Sequence, residues 1–126
     1  MDNDDIILGE QAVLERLDEY SLYCHYLEFE PQFGLMYTSP IREGDKRPSF
    51  GVYISKKRKD VEYMWKDQGT SVHGVGVYGD IFDLVRLLFR LNTRIQAILK
   101  IKGDFGLGPG VEATKIKLYK PLPSPD

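Results

Sequence analysis

Between Gly9 and Phe29 apolar residues recur at three- and four-residue steps. Val13, Leu14 and Leu17 are followed by Leu22, Tyr23, Tyr26 and Leu27, with Glu10, Glu15, Asp18 and Glu19 on the other face. That spacing predicts an amphipathic helical segment. A break near Asp18–Ser21 divides it into two helices, Ser21 is placed to cap the second, and Pro31 stops it. Phe33 to Thr38 is short and aromatic and predicts a strand. From Ser49 the period falls to two: Phe50, Val52 and Ile54 alternate with Ser49, Gly51, Tyr53 and Ser55, and Val61 to Trp65 alternates again. Two such runs around Lys56-Lys57-Arg58-Lys59-Asp60 predict an antiparallel hairpin with a basic tip.

Gln68 to Gly79, with glycines at 69, 74, 76 and 79, reads as loop. Asp80 then caps an apolar helix from Ile81 to about Leu91, with Asp83 placed to bond back toward the cap. This helix has too many apolar residues for one stripe and is expected at the centre of the core. Asn92 or Thr93 starts another helix carrying Ile95, Ile98 and Leu99 as far as Gly103. A glycine-rich loop to Gly110, a last strand at Lys115–Tyr119 and a proline-rich tail or linker over 121–126 complete the chain. The expected architecture is one α+β domain over residues 1–120, with its core at 33–102. A small antiparallel sheet is flanked by an N-terminal helical segment and two C-terminal helices.

Composition refines this picture only when it is divided. The 126 residues carry a net charge of −2, which by itself points away from nucleic acid. Residues 1–30 hold nine acids against Arg16 alone, residues 40–66 hold eight bases against four acids, and residues 67–126 hold eight bases against six acids. The chain is thus a charge dipole with an acidic head and a basic middle. Cys24 is the single cysteine, which excludes an internal disulfide and a cysteine-rich zinc site, and its aromatic surroundings suit an inert core thiol. No apolar run reaches the ~20 residues of a membrane span, and the acidic start is unlike a signal peptide. A soluble, cytoplasmic protein is expected, with no membrane partner.

Catalytic patterns are sparse. Gly74-x-Gly76-x-x-Gly79 precedes a helix, as in dinucleotide-binding turns, but a βαβ unit and an acid ~20 residues further on are missing. The glycines are better read as loop flexibility. His25 falls on an aromatic helix face, as a satisfied, partly buried residue, and His73 in the glycine loop, so no metal-binding histidine pair exists. There is no nucleophile elbow or P-loop. An enzyme acting alone is not expected, nor is a cofactor.

The basic middle points elsewhere. Arg42, Lys46 and Arg47 share one charged loop, Lys56, Lys57, Arg58 and Lys59 share the hairpin tip, and Lys66 ends its second strand. Tyr37, Phe50, Tyr53, Tyr63 and Trp65 are interleaved with them. Cations that track phosphates, together with rings that stack on bases, hold single strands without reading much sequence. Tyr53 and Tyr63 are the stacking candidates. Lysine at a hairpin tip for solubility and edge protection is the alternative.

The order Ser39-Pro-Ile-Arg42, Asp45-Lys-Arg-Pro-Ser-Phe50, Tyr63-Met-Trp-Lys-Asp-Gln-Gly69 and Gly79-Asp-Ile-Phe-Asp-Leu-Val85 resembles the N-terminal zinc-ribbon domain of bacterial and phage DNA primases. Pro48-Ser49-Phe50 and Gly79-Asp80-Ile81-Phe82 carry the likeness most specifically. The four zinc-ligand positions of that family fall on Ser39, Arg42, Trp65 and Gln68, none of which offers a thiolate or imidazole, so the resemblance implies a version without metal. Trp65 is then expected to fill the space by packing. The resemblance further implies a non-catalytic module that contacts a single-stranded DNA template during primer synthesis. It would act with a toprim-type catalytic domain and a replicative helicase, with the 42–47 loop nearest the DNA. A module that docks the acidic helix and basic hairpin on a helicase, polymerase or host factor is the rival reading.

Overall fold

A computed structural model describes residues 3–41, 48–72 and 75–107. Among these, four helices and three strands follow in the order α1 (Asn3–Arg16), α2 (Glu19–Leu27), β1 (Phe50–Ile54), β2 (Tyr63–Val72), β3 (Val75–Gly79), α3 (Ile81–Leu88) and α4 (Arg94–Asp104). The class is α+β with one antiparallel sheet in the order β1-β2-β3. The expected last strand at Lys115–Tyr119 and the proline-rich tail lie outside the described residues. No described helix is long and apolar enough to cross a membrane. The described residues form two compact units, 3–18 with 82–107 and 19–81.

The first unit is helical. Gly9 lets α1 approach α4 closely: a Cβ there would stand 3.2 Å from Ile98 Cγ2. Val13, Leu84, Val85, Leu88, Ala97, Ile98 and Ile101 are buried. Arg94 joins three elements, donating from Nε to Glu10 of α1 (2.7 Å) and from Nη1 to Asp83 of α3 (2.8 Å). Its guanidinium also lies over the Phe82 ring at 5.5 Å. Thr93 caps α4, its side chain accepting from the Gln96 N–H, which decides between the two starts Asn92 and Thr93. Both later helices close in the same way. Leu91 N–H bonds Arg86 O and Arg90 N–H bonds Leu87 O, with Arg90 left-handed at φ 52°. Leu107 and Gly106 repeat the pattern onto Lys102 and Gly103, with Gly106 at φ 72°. This C-terminal motif satisfies the last carbonyls. It ends α3 at Leu88, three residues before the expected Leu91.

The second unit contains α2 and the sheet. Leu22, Tyr23, Tyr26 and Leu27 form the buried stripe of α2, which begins at Glu19, ahead of the expected cap Ser21. Glu28, left-handed at φ 69°, ends the helix before Pro31 is reached. The strand expected over Phe33–Thr38 reduces to one bridge, Tyr37 with Phe50, because Leu35 N–H closes a turn on Gln32 O with Gly34 at φ 84°. The hairpin forms as expected, in the register Val52 opposite Trp65. The main correction is at 68–79. The described residues of this stretch, 68–72 and 75–79, are not loop, since β2 extends to Val72 and β3 spans Val75–Gly79, pairing Trp65 with Gly79 and Lys66 with Tyr78.

Trp65 is fully buried, its ring stacked near Phe50 at 5.7 Å. Its indole N–H donates to the Asp80 carbonyl at 2.7 Å. Truncation of Trp65 to alanine is therefore expected to cost about 3–5 kcal/mol. Trp65→Phe keeps most of the ring but leaves the Asp80 carbonyl without this donor, for about 1–3 kcal/mol. Urea unfolding followed by circular dichroism measures both. A loss below about 1 kcal/mol for Trp65→Ala would show that the ring does not fill the core.

Candidate nucleic-acid interface

Register divides the sheet into two unlike faces. Opposed residues of an antiparallel pair point the same way, so Phe50, Val52, Trp65 and Asp67 share one face, and all four are buried. Tyr53, Met64, Lys66 and Tyr78 share the other. Here Tyr78 is 65% exposed and Tyr53 39% exposed, and Lys66 is exposed at mid-strand rather than at the strand end. An open groove of about 890 Å³ runs along this second face, lined by Tyr53, Met64, Lys66, Tyr78, Phe33 and the tip residues Ile54 to Arg58. Gly51 lies on the same face but is buried. A Cβ there would meet Met36 Sδ at 2.9 Å, so residues 35–36 cover that end of β1.

The sheet thus brings five of the anticipated residues to one groove: Tyr53, Lys56, Lys57, Arg58 and Lys66. Lys59 is exposed at the tip but does not line the groove. Tyr63, which register sets on the Trp65 face, does not line the groove; it stacks at 5.2 Å on Phe33, a residue of the groove's rim, and takes edge contacts from Tyr20 and Tyr23. That makes it part of an aromatic cluster. Arg42, Lys46 and Arg47 lie outside the described residues. Tyr78 and Met64 escaped the sequence reading. Tyr78 was hidden because the glycines of Val75-Gly-Val-Tyr-Gly79 outweighed the β-formers between them, and Val77-Tyr78 was the available signal.

Two anchors hold the tip. Ser55 N–H bonds Glu62 O at 2.9 Å and Ser55 Oγ donates to the Arg58 carbonyl at 2.8 Å. Arg58 donates from Nε and Nη2 to the two oxygens of Asp60 (3.1 and 2.6 Å) and from Nη1 to Asp80 Oδ2 (2.9 Å). The hydrogen bond with Arg58 holds the Asp60 carboxyl below its ordinary range, and the same bonds hold Arg58 firmly protonated. The second anchor is Glu19 at the start of α2. It is nearly buried and accepts from the N–H groups of Glu62 (3.1 Å) and Tyr63 (2.8 Å), where β2 begins.

The zinc-ligand positions of the resemblance do not suit a metal. Ser39 Oγ donates a short hydrogen bond to the buried Asp67 and accepts from Ile41 N–H at 3.2 Å. Trp65 donates to a carbonyl, and Gln68 is exposed, its backbone N–H bonded to Ser49 O. Arg42 is outside the described residues. Among the described residues no three His, Cys, Asp or Glu side chains cluster as metal ligands. Cys24 is half-buried. His25 is exposed, with its ring edge-on to Tyr26, rather than partly buried as expected.

Comparison of the chain with protein-family models, with curated proteins and with solved structures returns no match.

Burial raises the Glu19 carboxyl above its ordinary 4.5, against the lowering effect of its two backbone hydrogen bonds. A folded-state value above the unfolded one favours the fold below the unfolded pKa, and that contribution is lost as pH rises through the raised value. Glu19→Gln lacks this titration. The stability of the wild type relative to Glu19→Gln is therefore expected to fall as pH rises above the ordinary carboxylate value, as read from urea midpoints at each pH. A difference independent of pH would show that Glu19 titrates alike in both states.

Proposed function

We propose that this chain is a template-binding module of the DNA-primase type, a ribbon-like domain without metal that takes single-stranded DNA on the open face of its sheet. The observation that carries this reading is the composition of that face. Two exposed tyrosines, Tyr53 and Tyr78, lie on the outer strands with Lys66 on the strand between them, and Lys56 and Lys57 stand at the tip. Rings on a sheet offer bases a stacking surface, and ammonium groups beside them meet the phosphates. The Ser39–Asp67 hydrogen bond and the buried Trp65 support the likeness. Ser39 and Trp65 lie where the resemblance has ligands, and the bond to Asp67 sets position 39 beside the 65–68 segment. In this reading polymerisation belongs to a toprim-type domain, and the module contributes template contact alone.

The rival reading, docking on a replication protein, is favoured by the apolar part of the groove, where Ile54 is 56% and Phe33 43% exposed. Salt separates the two. Three groove lysines on phosphates give a slope of log K against log salt of about −2, or about twenty-fold between 50 and 200 mM. Contacts from Lys59 or the 42–47 loop steepen it. Tyr78→Ala is expected to weaken binding by about 1–3 kcal/mol, as for loss of one stacked base, with little change in stability because the ring is exposed. Fluorescence anisotropy of a labelled oligonucleotide measures both. Absence of binding at low salt, with a helicase or polymerase retained instead, would select the rival.

A further inference from the structure

We infer that Arg58 serves DNA binding as a positioning residue, fixing the two lysines before it at the rim of the groove, and is not itself a phosphate ligand. The inference rests on the DNA-binding reading above and changes the role of the central cation of the tip.

The guanidinium is already committed. Nε and Nη2 form a fork on Asp60, and Nη1 reaches Asp80. The Asp80 side chain is fully buried, whereas that of Asp60 is 63% exposed. Withdrawing Arg58 toward a phosphate would leave a buried carboxylate without its cation, which is strongly unfavourable. Arg58 is also held through its backbone, since Ser55 Oγ donates to its carbonyl. Asp80 is fixed in turn, because its carbonyl takes the Trp65 indole N–H. A continuous polar chain therefore runs from the buried tryptophan through Asp80 to Arg58 and Ser55. Lys56 and Lys57 lie between Ser55 and Arg58, exposed and lining the groove. Two ammonium groups on a free loop lose conformational freedom when they meet phosphates, whereas on a pinned loop much of that loss has occurred on folding.

The salt dependence of binding distinguishes the two roles. A phosphate ligand contributes to the slope, and its removal lowers the slope by about 0.7 for single strands, while a positioning residue changes affinity without changing the number of phosphates met. The double variant Arg58→Ala with Asp80→Asn removes one charge of each sign and leaves net charge unaltered. It is expected to bind a labelled oligonucleotide about three- to ten-fold more weakly at every salt concentration, with the slope unchanged, whereas Lys57→Ala lowers the slope. Arg58→Lys keeps the charge but cannot span both carboxylates. It serves where the double variant does not fold, and the same weakening is expected. A lowered slope in the double variant, or undiminished affinity in Arg58→Lys, would overturn the inference. Amide hydrogen exchange without DNA gives an independent readout. Arg58→Lys is expected to speed exchange across Lys56–Lys59, and unchanged exchange counts against the latch. Wild-type protein that fails to bind DNA while this exchange effect is present would reject the DNA reading and leave the latch standing.

Discussion

The hydrogen bond from the Trp65 indole to the carbonyl of Asp80 is the junction on which the second unit depends. Trp65 is the largest buried side chain, and an indole N–H shut away from water must find an acceptor. Here the acceptor is a backbone carbonyl, that of Asp80. The register that sets Trp65 opposite both Val52 and Gly79 supplies it, because Asp80 follows Gly79 directly. The same residue turns its carboxylate to Arg58. One position therefore satisfies the core donor and fixes the hairpin tip. The constraint also sets the sheet's polarity: with Trp65 directed inward, strand alternation leaves Met64 and Lys66 no alternative to the open face.

Much of this was legible in the chain. Helical periodicity located α2 and α4, the apolar run behind Asp80 located α3, and the period-two runs gave β1 and its partner. The misreadings have physical causes. Glycine is a poor strand former in isolation, yet in β3 Gly79 pairs with Trp65 in the ladder. Local propensity does not register pairing across strands. The helix ends at Glu28 and Arg90 were equally hidden. Left-handed conformation at a non-glycine residue costs about 1–2 kcal/mol and leaves no compositional sign.

The candidate interface was half legible for a related reason. Charge and aromatic content marked the right segment, but which side chains share a face depends on register. Tyr53 and Tyr63 were equivalent as letters. In the sheet they point to opposite faces, Tyr53 lining the groove and Tyr63 packed among Tyr20, Tyr23 and Phe33. Tyr78 joined the site only once β3 existed. A binding surface on a sheet is thus a property of strand pairing, and it emerges from sequence only as well as the pairing does.

Pairing also changes what the charge arithmetic means. By composition the segment 40–66 is a basic strip and the first thirty residues are an acidic head. Glu19, Asp67 and Asp80 are buried, Glu19 accepting from backbone N–H groups and Asp67 from Ser39. Arg58 is engaged by Asp60 and Asp80. A cation paired in this way hardly contributes to the field that steers a polyanion, since its two carboxylate partners cancel it at short range. At the groove the cations left to meet solvent are Lys56, Lys57 and Lys66, and Tyr53 and Tyr78 lie among them. The electrostatics of the site are therefore set less by how many basic residues the segment carries than by which of them the fold has already used. Arg58 is consumed in holding the tip, and that use is what makes the lysines beside it a surface of defined shape.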